Sequence, residues 1–161
     1  MPPIASIAMV LPIFSPTLFP IVEPINGITE TGAGKAVAKA LPALEGKLTS
    51  SAIRVPVPNG SLAILNLQLN TNTTVEAVNA IMKQYALEGD LVEQIQYSIN
   101  NELVSSDIVG TTAPSIFDSK ATIADGDTIV VYVWYDNEYG YSHQVMRLAK
   151  HIAKVRRYTY Y

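Results

Sequence analysis

The 161 residues are the size of one ordinary domain, and 48% hydrophobic with 16% charged residues exclude both a disordered chain and a multi-span membrane protein. Eleven Lys and Arg against fourteen Asp and Glu leave a net charge of −3, so no overall positive field exists to hold a nucleic acid, and any phosphate binding is local. The absence of cysteine removes disulfides, thiolate metal sites and thiol nucleophiles from the chemistry open to these residues.

Residues 1–27 hold six of the ten prolines and carry no charge before Glu23. Pro12, Pro16, Pro20 and Pro24 recur every fourth residue, and each would remove a helical hydrogen bond, which argues against a membrane-spanning helix. No Lys or Arg precedes Lys35, so the basic start of a secretory signal is missing. The expectation is a cytoplasmic chain whose residues 1–27 form an extended or irregular apolar arm needing a partner surface, ahead of a compact domain over residues 28–161.

In that domain, Gly32–Leu41 reads as a short alanine-rich helix with Thr31 as a possible cap and Pro42 closing it. Residues 61–69 alternate apolar and polar at period two, as a strand does. The sequence Thr73-Thr-Val-Glu76 has the form of a capping box, and Val75, Val78, Ile81, Met82 and Tyr85 behind it repeat at helical spacing up to Gly89. Ile95–Ile99, Leu103–Val109 and Ser115–Phe117 are short strand candidates. Asp125-Gly-Asp127 predicts a turn feeding a buried strand over Thr128–Tyr135. From Ser142 the chain places Val145, Leu148, Ala149, Ile152 and Val155 on one helical face, with Lys150, Lys154, Arg156 and Arg157 toward its C-terminal end. Without a repeated βαβ unit, this order predicts an α+β fold with helices on one face of a sheet.

Three places can carry chemistry. Gly32-Ala-Gly-Lys35 fails both nucleotide-loop patterns, because Thr29, Ala36 and Val37 stand where those patterns need other residues. Thr31 and Gly32 are left as either an ordinary helix cap or a local site for a phosphate oxygen. Arg54, stiffened by Pro56 and Pro58, is either an anion clamp or one half of a strand-end salt bridge. Trp134–Tyr141 either plugs the core with aromatic rings or holds a flat heterocycle bearing a carboxamide. His143 and His151 lack the spacing of metal ligands, and Asp107 and Asp118 read as turn residues.

Thr31-Gly-Ala-Gly-Lys-Ala-Val37, Leu41–Thr49, Arg54-Val-Pro-Val-Pro-Asn59, Val104–Asp107, Ser115–Asp118 and Trp134–Tyr141 follow one another as in a known family. From about Thr29 onward the chain resembles the catalytic domain of the phosphorylating glyceraldehyde-3-phosphate dehydrogenases of glycolysis. The ending Arg156–Tyr161 and the phrase Pro56–Gly60 resemble a bacterial subgroup. The resemblance implies a mixed, largely antiparallel sheet with helices packed on one face. It implies that Thr31 and Gly32 contribute to the inorganic-phosphate site and that Arg54 holds phosphate groups of a sugar-phosphate substrate. It further implies that Asn137 bonds the nicotinamide carboxamide of NAD and that Tyr141 packs beside the nicotinamide ring.

The family's chemistry begins with a cysteine thiolate attacking an aldehyde, and its cofactor half is a Rossmann domain. Neither that cysteine nor that domain is matched here, nor is the family's histidine, so residues 28–161 resemble a truncated catalytic domain, inactive by itself and holding NAD at most weakly. Related parts occur in erythrose-4-phosphate dehydrogenase, and a non-catalytic assembly module is a further alternative. The resemblance implies a homo-oligomer or association with intact subunits, with no metal, nucleic-acid or membrane partner.

Overall fold

The computed structural model describes residues 5–12, 27–55, 57 and 59–155. Pro16, Pro20 and Pro24 of the expected arm, Pro56 and Pro58, and Arg156 and Arg157 of the expected basic helix end lie outside the described residues. The chain forms β1 Ala5–Pro12, β2 Gly27–Glu30, α1 Ala33–Ala40, β3 Leu48–Val55 and β4 Ser61–Gln68. Then follow α2 Val75–Leu87, β5 Ile95–Ser98, β6 Ser115–Asp118, β7 Ile123–Asp125, β8 Thr128–Tyr135 and α3 Tyr139–Ile152.

The strands make one sheet in the order β2-β3-β1-β4-β8-β6-β5, with β7 sharing an edge of β8 with β6. Only β1–β3 and β5–β6 run parallel, so the sheet is mixed and mostly antiparallel, as an α+β fold requires. Register places Ser50, Leu65 and Val131 in one row across β3, β1, β4 and β8. The N-terminal turn of α1 is seated on Ser50, and α2 buries Val78 in a core with Phe117, Ile129 and Val131, flanked by Leu65 and Met82. Both helices therefore cover the same face, because side chains in one row of a sheet point the same way. The opposite face carries Ile53 and Ile123, 39% and 51% exposed, with half-buried Ile64 and Tyr132 between them.

Residues 5–12 of the proline-rich segment are a strand inside the sheet, lying between β3 and β4. Residues 103–109 are not a strand. Ser105–Ile108 wind into a 3₁₀ turn in which the Asp107 carboxylate accepts the Val104 N–H at 3.0 Å, a local bond that competes with a ladder. The turn buries Ile108 completely against Gly60, whose φ of +92° and 3.0 Å clearance to Ile108 Cδ1 leave no room for a side chain.

Helix starts differ from expectation by a residue or more. Gly32, not Thr31, is the N-cap of α1, although the Thr31 hydroxyl still accepts the Ala33 N–H at 3.3 Å. Thr74 caps α2 by accepting the Ala77 N–H, which moves Glu76 out of the capping-box position and leaves it an acidic residue in the first turn. The last helix starts at Tyr139 rather than Ser142, because the Asp136 carboxylate accepts the N–H groups of Glu138 and Tyr139 at 2.9 and 2.8 Å. Its expected apolar stripe is exposed, with Leu148 at 59% and Ile152 at 71%.

Candidate functional site

At the C-terminal end of β3 the backbone of Arg54 pairs with Leu11, and Ser61 pairs with Tyr135. Leu11 follows Val10, which is opposite Leu62, so Arg54, Ser61 and Tyr135 lie in one row on the helix-bearing face. Three strand spacings, about 14 Å, separate the Arg54 and Tyr135 backbones, a gap that their long side chains narrow. Burial pushes the Tyr135 phenol up from its ordinary pKa, while the Ser61 hydroxyl and the Arg54 charge pull it back. Among the described residues the one ion pair joins Arg147 to Glu93 and does not involve Arg54.

Ser61, 1% exposed, donates its hydroxyl to Asn137 Oδ1 at 2.5 Å. With its oxygen engaged, the half-buried Asn137 amide offers Nδ2 as a donor at the end of Arg54's row. Tyr141 stands in the first turn of α3 with 71% of its surface exposed. Trp134 is half-buried and donates its indole N–H to the Asp118 carboxylate at 3.3 Å. The segment divides: Trp134 and Tyr135 are half-buried at the end of β8, whereas Tyr139 and Tyr141 are largely exposed. Asp118 does make the expected turn, accepting the N–H groups of Lys120 and Ala121, and its second oxygen also anchors Trp134.

Thr31 and Gly32 lie elsewhere on the same face. Thr31 falls beside Ser50, four positions along β3 from Arg54, or about 13 Å of strand. The Ser50 hydroxyl donates to the Thr31 carbonyl at 3.4 Å and accepts the Gly34 N–H at 3.3 Å, so strand and helix start are stitched together. Gly32 is exposed, with open space where a side chain would stand. The fold thus puts Arg54, Ser61 and Tyr135 in one row, bonds Ser61 to Asn137, and leaves Thr31 and Gly32 about 13 Å along β3 on that face.

Asp136, absent from the sequence-derived candidates, fixes the geometry around Asn137. It is 2% exposed and accepts the N–H of Gly110 at 2.9 Å in addition to those of Glu138 and Tyr139. Burial raises its pKa, but these N–H groups and the Asn59 side chain outweigh burial and hold the carboxyl below its ordinary value. One carboxylate therefore ties the β3–β4 connection, the loop after Ile108 and the start of α3 to the end of β8. An open pocket of about 310 Å³ beside it is lined by Asn59, Val109, Gly110, Asp136, Glu138, Tyr139 and Ser142. Asp136 had a readable signal, an Asp between a buried strand and a helical pattern; Ser61 and Tyr135 had none, since only register puts them in the same row as Arg54. Both histidines are exposed on α3, and no group of three metal-ligating side chains occurs among the described residues.

The fold is a mixed, mostly antiparallel sheet of the α+β class, with an arginine, a buried serine and an asparagine amide at one end. The family described as "Glyceraldehyde 3-phosphate dehydrogenase, C-terminal domain" matches residues 21–137. The chain belongs to this family. It is 52% identical over 128 residues to a "Glyceraldehyde-3-phosphate dehydrogenase-like protein" of Pseudomonas aeruginosa, covering 80% of this chain and 28% of that protein. It is 49% identical over 126 residues to the glyceraldehyde-3-phosphate dehydrogenase of Geobacillus stearothermophilus, and 48% identical over 127 residues to glyceraldehyde-3-phosphate dehydrogenase 1 of Bacillus subtilis. Each of these two matches takes in 78% of this chain and 37% of the relative, so the chain spans little more than a third of their length.

Proposed function

We propose that this chain is the phosphate- and nicotinamide-binding part of an NAD-dependent glyceraldehyde-3-phosphate dehydrogenase, a cytoplasmic enzyme of glycolysis, and that the chain alone does not catalyse. The observation that carries the reading is the single row Arg54–Ser61–Tyr135 continued to Asn137. Arg54 would hold the phosphate of a sugar-phosphate aldehyde, and Thr31 and Gly32 would take an oxygen of inorganic phosphate. Asn137 fits the nicotinamide end of NAD, because Ser61 occupies its oxygen and leaves Nδ2 as the donor for a carboxamide oxygen; Tyr141 would cover the ring. When bound, the cofactor supplies a hydride acceptor. No glycine fingerprint for its pyrophosphate is present, so binding through the nicotinamide alone is weak. With no cysteine the chain has no thiol to attack the aldehyde, which supports inactivity.

Incubation with NAD, phosphate and either glyceraldehyde 3-phosphate or erythrose 4-phosphate should yield no NADH, and steady NADH production by the pure chain would refute that statement. Titration with NAD should move the Asn137 side-chain amide resonances and spare those of Asn72, an exposed residue ahead of α2. Equal shifts at both, or none at Asn137, would count against the nicotinamide assignment. A second reading, self-association or association with intact subunits, is favoured by the exposed Ile53 and Ile123 on the sheet face away from α1 and α2. Charge placed there, as in Ile53→Asp, should lower the sedimentation coefficient if this face is the contact.

A further inference from the structure

Strands β3 and β4 are consecutive in sequence, with residues 56–60 joining them, yet they do not pair. β1 lies between them, parallel to β3 from Ala5 opposite Leu48 to Pro12 opposite Val55, and antiparallel to β4 from Ser6 opposite Asn66 to Val10 opposite Leu62. Without β1 the sheet would divide. On one side would be β2 and β3 with α1; on the other would be β4 and everything after it, with two rows of backbone N–H and C=O groups facing a gap two strand spacings wide, about 10 Å.

The two walls and their occupant come from different kinds of sequence. Both walls lie within the family match of residues 21–137, whereas residues 5–12 lie outside it. Ala-Ser-Ile-Ala-Met-Val-Leu-Pro carries no charge, and what the groove demonstrably offers it is backbone pairing along both edges, the chemistry of strand addition. The connection to β2 is generous. Pro12 and Gly27 pair with adjacent residues of β3 from opposite sides, so the chain has only to cross one strand, about 10 Å. Residues 13–26 extended would span roughly 45 Å.

We propose that the groove between β3 and β4 is a strand-acceptor site, and that residues 5–12 of a second copy fill it as well as the chain's own, giving strand-exchanged dimers. The exchange is reciprocal: each copy donates β1 and accepts the other's, with every ladder bond retained, so little enthalpy opposes it.

The absence of native cysteine makes the test direct. Ala8 and Ile64 are cross-strand partners, and antiparallel partners stand about 4.5–5.5 Å apart at Cα, within reach of a disulfide. Chains carrying A8C alone and I64C alone, unfolded together, refolded at high concentration and oxidised, should give a covalent species of two-chain mass. A mixture of A8C with T112C, at an exposed position remote from the groove, should not. The A8C/I64C double variant, oxidised at high dilution to lock the strand in its own chain, should stay monomeric when concentrated, while the unaltered chain dimerises. A dimer that persists in the locked variant, or equal crosslinking by the two mixtures, would overturn exchange and assign association to the exposed sheet face. Monomers of the unaltered chain at every concentration would overturn it too.

Discussion

Replacing Asp136 by Asn should destabilise the fold by about 2–4 kcal/mol at neutral pH. The carboxylate accepts three backbone N–H bonds at 2.8–2.9 Å from Gly110, Glu138 and Tyr139. Bonds to an ionised acceptor contribute roughly 1.5–3 kcal/mol each, and an amide retains one acceptor oxygen while turning an N–H₂ group toward the remaining donors. Asn137 keeps its own bond to Ser61 in the variant, so the loss is the clamp's and not the amide's. Urea unfolding at pH 7, followed by circular dichroism, measures it, with Asp125→Asn in the exposed hairpin as the near-neutral control. The pH dependence gives a second reading. Because the folded-state pKa is depressed, the stabilisation is fully present above the unfolded carboxylate value and is lost as pH falls through the lower, folded one. The gap between wild type and D136N should therefore be constant near neutrality and close in acid. A midpoint unchanged at pH 7, or a gap that widens on acidification, would refute the reasoning.

Phe117→Ala removes a ring 1% exposed at the centre of the core and should cost about 3–5 kcal/mol in the same assay. Gly60→Ala must place a Cβ 3.0 Å from Ile108 Cδ1 and 3.1 Å from the Ser105 carbonyl at φ +92°, so a loss of roughly 2–3 kcal/mol is expected, where Gly32→Ala, with open space around it, should cost less than about 1. Ser61→Ala releases Asn137 Oδ1, and the Asn137 side-chain amide resonances should shift in NMR spectra relative to the parent chain.

The long periodic segments could be read directly. Alternation located β4 and the spacing of Val75, Val78 and Met82 located α2, because burial of one face imposes those periods, while Asp125-Gly-Asp127 marked the β7–β8 turn by its residue types. What could not be read was decided by contacts distant in sequence. Residues 103–109 are apolar enough for a strand, but Asp107 captures a local N–H and Ile108 is drawn under Gly60. The proline texture of residues 1–27 argued against a helix and for an extended or irregular arm, but did not show that residues 5–12 would pair on both sides, since the ladder needs extended backbone rather than a particular side chain. At the site, motif order alone picked out Arg54 and Asn137. Their link through Ser61 depends on a bond spanning 76 residues, and Asp136 gathers groups from three connections that periodicity cannot place together.

Binding of phosphate by Arg54, Thr31 and Gly32 on one face of the sheet is directly measurable. Titration of the ¹⁵N-labelled full chain with inorganic phosphate should shift the amides of Thr31, Gly32 and Ala33 and the Arg54 side chain. Arg54→Ala should weaken the response at its end of β3 by about 10-fold or more, the equivalent of one charged hydrogen bond. Shifts confined to the exposed lysines, unaltered by Arg54→Ala, would contradict it.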